Sequence, residues 1–97
     1  MCGIAGYLGK LPPDDSHIKR ALAAMDHRGP DAHGVYQEQL GSGCSVILLH
    51  TRLSILDTSD RAAQPFRSGE SALSFNGEIF NFCELRSELV ARNQFAA

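Results

Sequence analysis

Apolar positions along the chain fall into short runs, and the changes in their spacing mark the predicted elements. Residues 1–9 (Met1-Cys2-Gly3-Ile4-Ala5-Gly6-Tyr7-Leu8-Gly9) are apolar and glycine-rich, a buried strand by pattern. Pro12-Pro13 breaks that strand, and Asp14-Asp15 supplies N-cap candidates for a helix. Ile18, Leu22 and Met25 then recur at helical spacing with Ala21 and Ala24 beside them, giving one apolar face that Gly29-Pro30 should end. Residues 34–39 predict a weak strand, Gly41-Ser42-Gly43 a turn, and residues 44–49 a buried strand. Positions 57–71 are rich in Ser, Asp, Gly, Arg and Pro and predict an excursion outside the sheet. Leu73 and Phe75 alternate with polar neighbours on a strand running into Asn76-Gly77, a dipeptide typical of hairpin turns. Asn81 followed by Glu84 has the form of a capping box, and Phe82, Leu85 and Leu89 form the buried side of a last helix ending near Asn93. The order of strand, helix, several strands and helix indicates a layered α/β or α+β domain. About five strands with two helices leave a sheet face and an edge uncovered, so part of a domain is expected.

Composition narrows the function classes. The chain has 97 residues, room for one small domain. Nine Lys and Arg against eleven Asp and Glu give a net charge of −2, with both signs scattered, which argues against nucleic acid and against an anionic membrane surface as partners. Hydrophobic content of 43% with 21% charged residues excludes a largely disordered chain. The longest aliphatic run, Val46 to Leu49, is far short of a bilayer span, and no basic-then-apolar leader opens the chain. Three cysteines, at positions 2, 44 and 83, do not make a disulfide framework, and a reducing cytoplasm is the expected location.

Three local features carry candidate chemistry, and each has a plainer explanation beside it. Cys2 would become the terminal residue on removal of Met1, placing a thiol next to a free α-amine whose reference pKa is about 7.7–8.0. Such an amine can take the thiol proton directly or through one water. By position alone Cys2 is equally a small buried residue on the first strand. In Asn76-Gly77-Glu78, an asparagine amide and the next backbone N–H can converge on a developing oxyanion, glycine supplying the φ and the room to do so. A simple turn has the same composition. In His50-Thr51-Arg52, directly after the strong strand, the arginine is shaped to grip a carboxylate with two parallel hydrogen bonds, or is merely a surface cation. The histidines at 17, 27, 33 and 50 raise the question of zinc. No C-x-x-C pair occurs, and His27 and His33, with five residues between them, lie across the Gly29-Pro30 break. Asp14-Asp15 is better explained by helix capping than by acid/base catalysis.

Taken together, the segments Met1-Cys2-Gly3-Ile4-Ala5-Gly6, His27-Arg28-Gly29-Pro30-Asp31, His50-Thr51-Arg52-Leu53-Ser54-Ile55-Leu56-Asp57, Gln64-Pro65 and Asn76-Gly77-Glu78-Ile79-Phe80-Asn81, with Glu84-Leu85-Arg86 and Glu88-Leu89, resemble the N-terminal glutaminase domain of class II (N-terminal-nucleophile) glutamine amidotransferases, in their asparagine synthetase branch. The resemblance implies an α+β fold, the first part of an N-terminal-nucleophile-hydrolase αββα sandwich, with residues 1–97 as a partial glutaminase domain. It implies that Cys2 attacks the side-chain amide of L-glutamine, its own α-amine moving the proton. Asn76 and the Gly77 N–H would form the oxyanion hole. Arg52 would bind the α-carboxylate, backbone around Ile55 and Leu56 would line the substrate, and Glu78 would help hold the α-ammonium. The role of Arg28 to Asp31 stays open between the active site and loop bracing. No cofactor is implied for the glutaminase half; ATP and Mg belong to a C-terminal synthetase domain, absent from these residues, that accepts the ammonia. The family also has a Ser-Asp segment beyond the matched region whose aspartate contacts the substrate ammonium. A non-catalytic fragment that binds a separate synthetase chain is the alternative.

Overall fold

The computed structural model describes residues 2–53 and 63–94. In order these form β1 (Gly3–Gly9), α1 (Asp15–Met25), β2 (Ala32–Gln39), β3 (Ser45–Arg52), β4 (Phe66–Ser68), β5 (Ser71–Leu73) and α2 (Phe82–Ala91). β3 is central: β1 and β2 pair antiparallel on either side of it, from Gly9↔Ser45 to Gly3↔Thr51 and from Gln39↔Ser45 to Ala32↔Arg52. β4 and β5 form a separate two-stranded antiparallel sheet. All pairing being antiparallel, the fold is α+β rather than α/β.

The sheet's two faces are covered differently. On one, α1 lays Ile18 and Leu22 against Ile47 and Leu49, with Ala5, Tyr7, Ala21 and Met25 packed around them. Each fully buried aliphatic side chain contributes about 1.5–3 kcal/mol. The helix begins where the sequence says it should. Asp14 is the N-cap, its Oδ1 accepting from the His17 N–H at 3.0 Å and from the Ser16 hydroxyl at 2.7 Å. The helix ends earlier than Gly29-Pro30 suggested. It stops at Met25, with Asp26 as C-cap, and a turn carries the chain to Gly29. Ala24 is exposed rather than part of the apolar face.

The segment from Gln64 to Asn76 lies on the other face. The Gln64 carbonyl abuts Gly34, where a Cβ would collide with it, and the Ser74 hydroxyl donates to the Leu49 carbonyl at 3.1 Å. Arg67 stacks over the Tyr36 ring, 5.1 Å from its centroid.

Several expectations are corrected here. β1 is buried on one side only: Gly3 is buried and Ala5 and Tyr7 half-buried, while Ile4 and Leu8 face outward. The central strand starts one residue later than expected and runs three further, to Arg52. Part of the turn-rich stretch forms the β4–β5 hairpin, and the strand expected to reach Asn76 ends at Leu73. Asn76-Gly77 is therefore no hairpin, because no returning strand follows it. α2 is present, but Asn81 makes no capping hydrogen bond, and Phe82, Leu85 and Leu89 are exposed. Its C-terminus closes with a Schellman motif, Asn93 at φ 55° and the Gln94 and Asn93 N–H groups donating to Leu89 and Val90.

Gly29 is buried against the Thr51 carbonyl and the Arg52 backbone, whereas Gly41 faces open space. Gly29→Ala should therefore destabilise by about 1–3 kcal/mol or more, and Gly41→Ala should stay within about 0.5 kcal/mol of the parent; denaturant unfolding of the two variants checks the contrast. The Asp14 carboxyl is held below its ordinary range by the Ser16 hydroxyl and then by the His17 N–H. Its contribution is thus complete above the ordinary carboxylate range and lost as pH falls through the lowered pKa. Asp14→Ala should flatten the acid limb of a pH–helicity curve measured by circular dichroism.

Candidate functional site

Three consecutive polar residues at the C-terminal end of β3, His50, Thr51 and Arg52, are buried. Buried polar groups need partners, and those partners bring the candidate residues together. Alternation along the strand puts His50 and Arg52 on the face crossed by residues 64–76, and Thr51 on the α1 face.

Cys2 lies one position beyond the last β1–β3 pair, as Arg52 does on β3. Its Sγ accepts from the Leu53 N–H at 3.4 Å and lies 3.9 Å from the Leu53 carbonyl. The thiol is thus held against the residue that follows Arg52. The peptide that follows it is also fixed: Arg28 Nε donates to the Cys2 carbonyl at 3.2 Å, and the Gly3 N–H donates to Thr51 Oγ1 at 3.1 Å. The Arg28–Asp31 segment, left open by the sequence, braces this corner. Arg28 holds Cys2, Gly29 packs on the end of β3, and the Asp31 N–H donates to the Arg52 carbonyl at 2.9 Å. His33 and Asp26 pair at 2.9 Å between the end of α1 and β2, which gives one of the four histidines a structural partner.

His50 ties in the second candidate segment. Its Nε2 lies 3.1 Å from the Phe75 carbonyl, immediately before Asn76. Because a carbonyl only accepts, this bond places the imidazole proton on Nε2. Nδ1 is buried and has no hydrogen-bond partner among the described residues. Burial pushes the His50 pKa below its ordinary value and the neighbouring Arg52 charge lowers it further, against the opposing pull of the Phe75 carbonyl. The Phe75 N–H donates to Gln64 Oε1 at 2.6 Å, holding the same residue from its other side.

The remaining candidates are placed less completely. Asn76 is half-buried, and Gly77 and Glu78 are exposed. Gly77 has no left-handed φ, and a Cβ there would press on the Phe75 ring at 3.0 Å. Ile55 and Leu56 lie outside the described residues. Sequence reasoning weighed bracing for Arg28 but missed Thr51 as a support. Thr51 is a hydroxyl on the inward face of an otherwise aliphatic strand, and that anomaly was the available signal. Among the described residues no helix is long and apolar enough to cross a membrane.

A glutamine amidotransferase domain family matches residues 1–97. A probable glutamine-hydrolysing asparagine synthetase of Dictyostelium discoideum is 40% identical over 96 residues, covering 94% of this chain and 16% of that protein. Asparagine synthetase B of Escherichia coli is 38% identical, covering 98% and 17% respectively. Asparagine synthetase 1 of Bacillus subtilis is 36% identical, covering 95% and 15%. The chain thus spans about one sixth of the length of these relatives. No solved structure matches it. The family match runs the full length of the chain and makes this protein a member of the glutamine amidotransferase family.

Proposed function

We propose that the chain performs the glutamine-hydrolysing half of an amidotransfer reaction, with Cys2 as nucleophile. The observation that carries this reading is the meeting of Cys2 Sγ with Leu53, next to buried Arg52, on the strand end that also holds Phe75-Asn76 through His50.

In this reading Met1 is removed and the α-amine of Cys2 takes the thiol proton. Arg52 binds the α-carboxylate of L-glutamine in a bidentate grip, Glu78 pairs with its α-ammonium, and backbone around Ile55 and Leu56 lines the side chain. The sulfur adds to the amide carbon. The Asn76 amide and the Gly77 N–H stabilise the resulting oxyanion. The amine returns the proton to the leaving nitrogen, ammonia departs, and a γ-glutamyl thioester remains. Water, deprotonated by the same amine, then releases glutamate and restores the thiol. Both half-reactions need only side chains and water.

The relatives' names support a reading of where the ammonia goes. An ATP- and Mg-dependent synthetase domain or chain would activate a carboxylate, aspartate in the asparagine synthetases, for attack by ammonia. Residues 1–97 are then part of a glutaminase domain with the N-terminal-nucleophile αββα architecture. The exposed apolar residues of α2 and the outward Ile4 and Leu8 of β1 are what further layers of that sandwich would cover.

A glutamine-analogue electrophile should add once per chain, to Cys2 and not to half-buried Cys44 or exposed Cys83, in protein whose intact mass lacks Met1. Retention of Met1 in folded protein, or an adduct on either other cysteine, would overturn the assignment. Asn76→Ala should lower kcat on the order of a hundredfold or more, while Arg52→Ala should act mainly on KM, by about ten- to a hundredfold, the worth of a charged hydrogen bond. Steady-state glutaminase kinetics separate the two. Activity should climb as the α-amine deprotonates, around pH 7.7–8.0 by its reference value.

His50 supplies a separate stability prediction. Its lowered pKa means that the folded state favours the neutral ring. Stability is therefore full above the unfolded value of 6.5 and falls as pH drops through the folded value. Thermal melts from neutral to acidic pH should show this loss in the parent and a shallower loss in His50→Gln.

A further inference from the structure

We propose that Thr51 is a positioning residue for the Cys2 nucleophile, a role that rests on the reading of Cys2 given above. Thr51 is fully buried on the α1 face of β3, opposite to the face that carries His50 and Arg52. Its Oγ1 donates to the Met25 carbonyl at 3.1 Å and accepts from the Gly3 N–H, also at 3.1 Å. One hydroxyl thus links the last turn of α1 to the peptide that joins Gly3 to Cys2.

The geometry gives the hydroxyl little freedom. A threonine χ1 is stiff because Cβ is branched, and the Met25 carbonyl consumes its only proton. A lone pair must then face Gly3, and the Gly3 N–H is directed by it. The same spot is crowded: a Cβ on Gly3 would meet Thr51 Oγ1 at 2.5 Å and Met25 Cβ at 3.0 Å. Gly3 is therefore seated directly against both residues. The peptide nitrogen held in this way belongs to the same peptide unit as the Cys2 carbonyl, which Arg28 Nε holds at 3.2 Å. With both ends of that peptide fixed, the Cys2 Cα is placed at the strand end, and the Leu53 N–H meets the sulfur there at 3.4 Å.

Thr51 touches neither the sulfur nor a substrate. Its contribution is to the aim of the thiol, and that separates it from a purely structural residue. Losing aim lowers turnover while leaving substrate affinity intact, since Arg52 and Glu78 do not depend on the hydroxyl.

The test compares the parent with Thr51→Val, which keeps the shape and removes the hydroxyl, Thr51→Ser, which keeps the hydroxyl, and Ile47→Val, a buried aliphatic change on the same face of β3 that leaves the hydroxyl in place. Thr51→Val should lower kcat and the rate of labelling by a glutamine-analogue electrophile on the order of ten- to a hundredfold, with KM little changed. Thr51→Ser should recover most of that loss, and Ile47→Val should leave kcat at the parent value. Thr51→Ala carries the same comparison if the valine variant does not fold. The proposal is overturned if Thr51→Val keeps parental kcat, if Thr51→Ser fails to recover it, or if Ile47→Val loses kcat in the same proportion to its loss of melting temperature. Failure of the parent itself to be labelled at Cys2 would instead overturn the nucleophile assignment, so the two failures are distinguishable.

Discussion

The structure depends on the satisfaction of polar groups buried at the end of β3. A central strand flanked on both edges has its backbone hydrogen bonds met by its neighbours, but its side chains must find their own partners. An unpaired buried hydroxyl or amide costs about 1–3 kcal/mol, comparable with the gain from burying an aliphatic residue. His50 and Thr51 therefore cannot be buried cheaply without the Phe75 carbonyl, the Met25 carbonyl and the Gly3 N–H. These three groups come from three separate stretches of chain. Meeting them draws the residue before Asn76, the end of α1 and the start of β1 to one place, and Cys2 and Arg52 arrive with them.

The parts of this arrangement that the sequence made legible are those governed by local periodicity and by capping chemistry. Ile18 and Leu22 at helical spacing, and the aliphatic run of β3, identified the two elements that form the core, and Asp14 identified where α1 begins. What could not be read was fixed by tertiary contact. The helix stops at Met25 rather than at Gly29: the Met25 carbonyl accepts both the Arg28 N–H and the Thr51 hydroxyl, and the following turn brings Gly29 onto the strand end. The Asn76-Gly77 pair looks like a hairpin signal, yet the preceding residue, Phe75, is held by His50 and Gln64, and the chain proceeds to α2. Leu85 and Leu89 lie on an apolar stripe of the expected kind, but a stripe states only that something packs there and does not say what.

Motif and geometry also contribute differently to the functional reading. Cys2, Arg52 and Asn76 were singled out by chemical type and by the family's motif order. The structure adds what the connecting groups do, which their motifs do not state: a threonine hydroxyl, an arginine donating to a backbone carbonyl, and a histidine proton fixed on Nε2. Residues of this second kind resist recognition from one sequence because any hydrogen-bonding side chain of the right length can serve. Gly77 stands between the two kinds: it was singled out for backbone freedom and room, and the structure adds a Phe75 ring 3.0 Å from where a Cβ would sit.

One hollow among the described residues lies elsewhere. A cavity of about 190 Å³ between α1 and the sheet is lined by Ala5, Gly6, Ala21, Ile47 and Leu49, with Tyr7 and His17 also on its wall. Cys2, Arg52 and Asn76 do not border it. Room alone does not make a site. The end of β3 instead brings directed hydrogen-bonding groups together, and orientation is what attack on a carbonyl carbon requires.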